Sequence, residues 1–244
     1  MWKTLPILIT TLLIIACVTD IEDPTPPSKP QWIQQTPLGV FPMDGIRPVP
    51  GENEIYLEWH PNPENDLSGY EIYLADSVGI NFRKIADITI HNGFIDTFFI
   101  ISSPPIDTTC WYYLRAEDKS GNLSVPSDTL HFMILEKPIL TSFGTTGTTN
   151  ETQPTFRWYI NPPESQASAF IVELVDQDLN FVTQSPLIQR TNYAPQGRDD
   201  WKCDVILEPS SSFYYRIISA GLLDELHIPH AGSISAWKAF RTTN

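Results

Sequence analysis

Apolar residues recur at every second position in short runs along this chain, and clusters of Pro, Gly, Asn, Asp and Ser separate the runs. Ile55, Leu57 and Trp59 alternate with Tyr56 and Glu58; Tyr70, Ile72 and Leu74 alternate with Glu71 and Tyr73. Period two buries one side of a strand and wets the other, as in an antiparallel sheet packed on a core. Pro61, Asn62, Pro63, Asn65, Asp66 and Gly69 supply the turn between these two runs. Further strands are expected over residues 82–88, 96–101, 110–116 and 130–134, with turns at Pro104-Pro105 and at residues 118–122. Short strands at such even spacing predict a two-sheet sandwich.

The pattern then repeats about a hundred residues further on. Phe156 and Trp158 stand where Leu57 and Trp59 stood, and Phe170, Val172, Leu174 and Asp176 match Tyr70, Ile72, Leu74 and Asp76. Val205 with Leu207, then Phe213, Tyr215 and Ile217, then Ser233, Trp237 and Phe240 continue the second copy. The fold class expected is therefore all-β, with two tandem β-sandwiches over residues 32–135 and 136–244. Residues 136–138 join the copies with almost no slack, which predicts a stiff pair. Residues 192–202 read as an insertion and residues 221–232 as a long loop, and long loops on a rigid sandwich are where binding residues sit.

Charge and composition narrow the partners. Lys and Arg number 15 against 29 Asp and Glu, a formal net charge of −14. Such a polyanion is repelled by nucleic acid, so no nucleic-acid partner is expected. The 22 Pro residues and the lack of any long 3.6-residue period argue for strands and turns over helices.

Residues 1–16 have a basic start and a short apolar run that fits a secretory leader and is short for a membrane span. Its end, Ile14-Ile15-Ala16-Cys17, resembles a bacterial lipobox. The resemblance implies that Cys17 becomes the first mature residue and carries the acyl chains that hold the protein at a membrane. An ordinary leader cut near Ala16 is the other reading. Residues 17–31, rich in Pro and acid, read as an extended tether. Asp20, Glu22 and Asp23 read first as a solvated linker; they are also similar to the acidic signals that send some lipoproteins to the outer face of the outer membrane. The expected location is the cell envelope, as an outer-membrane lipoprotein facing periplasm or cell surface. Cys110 and Cys203 fall in different copies at non-equivalent positions, and both thiols are expected to be buried and unpaired.

Trp59, residues 66–73, Tyr112-x-Leu114-x-Ala116-x-Asp118, Gly121-Asn122-x-Ser124 and Pro126-Ser127 together resemble a fibronectin type III domain. The resemblance implies that Trp59 fills the space between two sheets and that Tyr112 serves as a tyrosine corner. It also implies that Gly121-Asn122 takes positive backbone dihedrals in a hairpin turn. It is looser in the second copy, where Trp158 and Tyr215 would hold the matching core positions.

Candidate chemistry is sparse. His227 and His230, with Asp224 and Glu225 nearby, have a spacing that suits a metal site only on a helix, and Pro229 argues against one. No metal and no cofactor is expected. Trp201 with Asp199 and Asp200 could grip a sugar, the ring stacking while carboxylates accept hydroxyl protons. Trp111 and Tyr113, on the outer side of their strand, could do likewise; packing on neighbouring strands or on the other domain is the alternative for all of these rings. No nucleophile elbow, phosphate loop or dinucleotide fingerprint occurs. The two copies fill the sequence, and no catalytic domain and no pocket of substrate size is expected within small packed sandwiches. The sequence thus points to a non-enzymatic, lipid-anchored protein-interaction, adhesion or spacer module whose partner is an envelope protein. The alternative is a glycan-binding accessory lipoprotein of a polysaccharide-uptake system.

Overall fold

The computed structural model describes residues 23–34, 45–76, 80–90, 94–221 and 230–243. The described residues are all strand, turn and loop. The first sandwich contains β1 (Ile46–Pro48), β2 (Glu54–Glu58), β3 (Leu67–Asp76), β4 (Arg83–Thr89), β5 (Phe98–Ser102), β6 (Thr109–Asp118) and β7 (Leu130–Ile134). One sheet has the order β1-β2-β5, and the other β4-β3-β6-β7. Trp59, Tyr70, Ile72, Tyr112, Leu114 and Phe132 fill the space between them, all at most 1 % exposed.

The second sandwich contains β8 (Ile139–Leu140), β9 (Thr148–Thr149), β10 (Thr155–Tyr159), β11 (Ala169–Asp176), β12 (Phe181–Gln184), β13 (Ile188–Gln189), β14 (Asp199–Lys202), β15 (Ser212–Ala220), β16 (Ala231–Ile234) and β17 (Lys238–Thr242). Its small sheet has the order β8-β10-β14, and its large sheet is built on β12-β11-β15-β16. Both copies are two-sheet β-sandwiches, as the alternating pattern predicts. The stretch read as an insertion contains β14, which pairs with β10 as β5 pairs with β2 in the first copy. Val205 and Leu207 form no strand; Leu207 is buried by a loop whose amide donates to the Thr152 carbonyl.

The two large sheets are one sheet. β16 pairs with β7 in parallel, and the amides of Met133 and Leu135 donate to the carbonyls of His230 and Gly232 at 2.9 and 3.2 Å. The sandwiches lie on opposite faces of it. Phe132 and Ile134 point into the first core, where Ala169, Ile171, Ile218 and Ala220 from the second copy's strands join them. Leu135 points the other way into the second core, with Met133 packed against it. Phe170, Val172 and Leu174 alternate with Ala169 and Ile171, so β11 is apolar on both sides.

Residues 23–31, read from the sequence as part of an extended tether, are packed on the first sandwich. From Asp23 onward the chain lies on the first sandwich: the Ser28 amide donates to Glu64 at 2.7 Å, and Lys29 pairs with Asp128 at 2.7 Å. Pro27, Pro30 and Trp32 are buried, and Trp32 bridges Trp59 edge to face. A single ordered strand position, Trp32, explains the missing signal: no alternation precedes it.

Two expected turn and corner details differ. Tyr112 is fully buried, but its hydroxyl has no hydrogen-bond partner; burial, then the neighbouring Cys110 thiol, pushes its phenol up. In the turn after β6, Gly121 has φ of 81°, whereas Asn122 is absent from the positive-φ residues. Asn122 works through its side chain, donating to the Asp118 carboxylate at 2.8 Å and to the Asp23 carbonyl. Asp118 also accepts the amides of Ser120 and Asn122, each at 2.8 Å. Asp176 and Asn180 build the same turn between β11 and β12.

Candidate functional site

The residues singled out for sugar binding do not converge. Asp199, Asp200 and Trp201 lie consecutively on β14, opposite Trp158, Arg157 and Phe156. Asp199 and Trp201 therefore face inward and Asp200 outward. Asp199 is buried, and its carboxylate accepts from the Thr191 amide and hydroxyl at 3.1 and 3.2 Å. The half-buried Trp201 ring lies parallel to Phe156 with centroids 5.8 Å apart, closing the edge of the core. Asp200 sits 4.0 Å from Arg157 on the other side of the sheet. Strand alternation puts the Asp200 carboxylate on the face opposite the Trp201 ring, and Asp199, on the ring's own face, is buried and bonded to Thr191.

Trp111 and Tyr113 lie half-buried on the outer face of β6. Tyr113 stacks on Tyr73 with centroids 4.7 Å apart and meets Phe82 at 4.6 Å. Beneath them Glu71 accepts from the Tyr73 hydroxyl and from Lys84, the latter at 2.9 Å. Burial raises the Glu71 carboxyl, but the bonds from Tyr73 and Lys84 outweigh it and hold it below the usual range. Burial and Glu71 push Tyr73 up to about 12. Trp111 leans on His131 at 6.2 Å, and His131 packs at 4.2 Å on His230, across the seam between the sandwiches. These rings occupy one another.

Trp59, Tyr112, Trp158 and Tyr215 are fully buried core residues. Cys110 and Cys203 are buried free thiols. Cys17, and with it the leader, lies outside the described residues, as do Asp224, Glu225, His227 and Pro229. Among the described residues no group of His, Cys, Asp and Glu is arranged to hold a metal ion, and no helix is long and apolar enough to cross a membrane.

Two surfaces involve residues that the sequence did not single out. The first is an edge. Among the described residues β5 borders its sheet, and Phe98 and Ile100 on it are 42 % and 38 % exposed. Phe98 stacks on Tyr56 at 5.5 Å, and the Arg47 guanidinium covers Tyr56 at 4.4 Å. Sheet edges are normally guarded by charge. The β4 edge follows that rule with Lys84 between Glu71 and Asp87, whereas the β5 sequence Phe-Phe-Ile-Ile-Ser carries no charge.

The second is an open groove of about 450 Å³ where the sandwiches meet. The 136–138 link forms its floor, and Asn161, Trp237 and Lys238 contribute walls. Trp237 sits where the last strand breaks into β16 and β17 and is 36 % exposed. Its ring is held from one side by the Arg216 guanidinium, 4.4 Å from the centroid. Glu173 fixes Arg216 in turn, with a 2.7 Å contact. Burial, then the nearby Asp107, raises the Glu136 carboxyl. The expectation of a pocketless scaffold looked inside each sandwich, and this groove lies between them. The alternating pattern does mark Trp237 as an aromatic on its strand, but not that the other copy stands opposite it.

No protein-family model matches the chain, and no curated protein matches it. Among solved structures it is similar to the chicken CNTN1 FN1-FN3 domains, with 12 % identity over 90 % of this chain and 69 % of that one, at a TM-score of 0.34.

Proposed function

We propose that this protein is a non-enzymatic, lipid-anchored component of the bacterial cell envelope, an outer-membrane lipoprotein that acts as a protein-interaction, adhesion or spacer module. The observation that carries the interaction role is the uncharged, apolar β5 edge on a scaffold stiffened by a shared sheet. An edge of this kind offers free backbone groups and side-chain contacts to an added strand. Anchoring is supported by the lipobox-like sequence at Cys17. The chain from Cys17 to the docked Asp23 spans at most about 20 Å. That reach holds the first sandwich close to the bilayer by its 118–122 turn, to which Asp23 is bonded. The seam with the second sandwich is at the other end of β6, which sets the second copy further out.

Crosslinking in intact envelopes followed by recovery of the full chain tests the interaction role. Ile100→Lys on the exposed edge is expected to abolish the crosslinked species while leaving the fold unchanged; an identical crosslinking pattern would remove β5 as the contact. Cys17→Ser is expected to abolish incorporation of a fatty-acid analogue and release the protein from membranes. A glycan-binding role does not rest on Asp199, Asp200 and Trp201: Asp199 is buried, Trp201 packs on Phe156, and Asp200 faces the other side of the sheet.

A further inference from the structure

We infer that the groove between the two sandwiches is a binding site for a neutral hexose residue of a glycan, with Trp237 as its stacking platform. The inference is independent of the β5 edge and of the lipid anchor. Three features point to this ligand chemistry.

The first is the ring. A pyranose has one face of C–H groups that packs on an indole, and a platform works best when it is held still. Trp237 is clamped by Arg216, and Arg216 by Glu173, in a contact that buries most of both side chains. A cation held over an indole favours one ring orientation over the others. Trp237 nevertheless stays 36 % exposed and lines the groove.

The second is the set of polar groups around it. Glu136 and Asn161 also line the groove, and no hydrogen bond engages either side chain among the described residues. A carboxylate accepts from hydroxyls, and an amide both donates and accepts, which is the mixture that vicinal hydroxyls require. Lys238 is already committed, donating to the carbonyls of Leu140 and Ser142 at 3.3 and 3.0 Å. Lys137 donates to the Gly51 carbonyl. Both lysines are thus taken up by backbone carbonyls, leaving the unpaired Glu136 carboxylate in the groove, which favours an uncharged ligand over an anionic one.

The third is size and rigidity. A groove of about 450 Å³ falls within the range of small-ligand sites. The second copy lines most of it and the first contributes Gly51, which the shared sheet and the contact with Ile234 and Ala236 hold in place. The site is therefore formed before the ligand arrives, and little binding energy is spent on closure.

The test uses the full chain in detergent micelles with a panel of neutral trisaccharides built from glucose, mannose, galactose or N-acetylglucosamine. Saturation-transfer NMR and isothermal titration read binding. At least one sugar is expected to bind the parent protein. Trp237→Ala is expected to weaken it at least about tenfold, and Trp237→Phe less. Glu136→Gln and Asn161→Ala, both outside the cores, are expected to weaken it with an unchanged thermal midpoint, which separates loss of contact from loss of fold. Trp201→Ala is expected to leave affinity unchanged. Failure of every sugar to bind the parent protein, or binding that survives Trp237→Ala, would overturn the assignment.

Discussion

Ser124 and Ser127 lie on the stretch between β6 and β7, Ser185 and Ser235 where a strand breaks, and each makes the same pair of bonds. The serine amide donates to a carbonyl on the facing strand, at 2.9 Å in every case: Ala116, Leu114, Val172 and Ile217 respectively. The amide of that same facing residue then donates to the serine Oγ, at 2.9, 3.1, 2.9 and 2.9 Å. The hydroxyl stands in for a ladder carbonyl that has turned away, and it passes its own proton to the carbonyl of the next residue. Strands therefore bend at β12/β13 and β16/β17 without leaving a buried amide unpaired. Ser185→Ala is expected to cost about 1–3 kcal/mol, since the Val172 amide is then left without an acceptor. Urea denaturation checks it; a cost near zero would mean that water replaces the hydroxyl. In the sequence these serines are visible only as turn-forming residues. Their role depends on which amide faces them, and that is set by register.

Strand positions were legible wherever one side of the strand is wet. β3 and β6 alternate as expected, because their outer faces carry Glu71, Tyr73, Tyr113 and Arg115. β7, β11 and β15 behave differently. Met133, Leu135, Ala169, Ile171, Ile218 and Ala220 occupy positions that a free-standing sandwich would give to water. The signal was in the sequence: Phe170-Ile171-Val172 is apolar throughout, where the first copy has Tyr70-Glu71-Ile72. A continuous apolar run marks a strand covered on both faces, though it does not name the cover. Ile171 is 4 % exposed and belongs to the first core although it lies in the second copy. Ile171→Ala is expected to cost about 2–5 kcal/mol, as for any buried Ile. Chemical denaturation decides: a loss below about 0.5 kcal/mol, typical of a surface position, would contradict the shared core.

At the scale of the molecule, the two sandwiches are welded through β7 and β16 and through each other's cores. Further polar contacts cross the junction. Asp107 in the first copy accepts from Ser165 and from the Gln166 amide at 3.1 and 3.3 Å, and Gln166 returns a bond to the Asp107 carbonyl at 3.1 Å. Such coupling predicts one cooperative unfolding transition. Tryptophan fluorescence and far-UV circular dichroism are expected to give coincident midpoints in guanidinium, and two separated transitions would show that the copies fold apart. The sequence by itself determined the local order: strands and turns, the duplication, the buried tryptophans Trp59 and Trp158, and an acidic surface. Those follow from periodicity and turn chemistry, which act between residues close along the chain. Tertiary structure alone decided that the copies share a sheet, that β14 turns Asp199 and Asp200 to opposite faces, and that Trp237 lines a groove formed with Gly51 of the other copy. Each of these depends on which surfaces meet at long range, and no local alternation of apolar and polar residues encodes that choice.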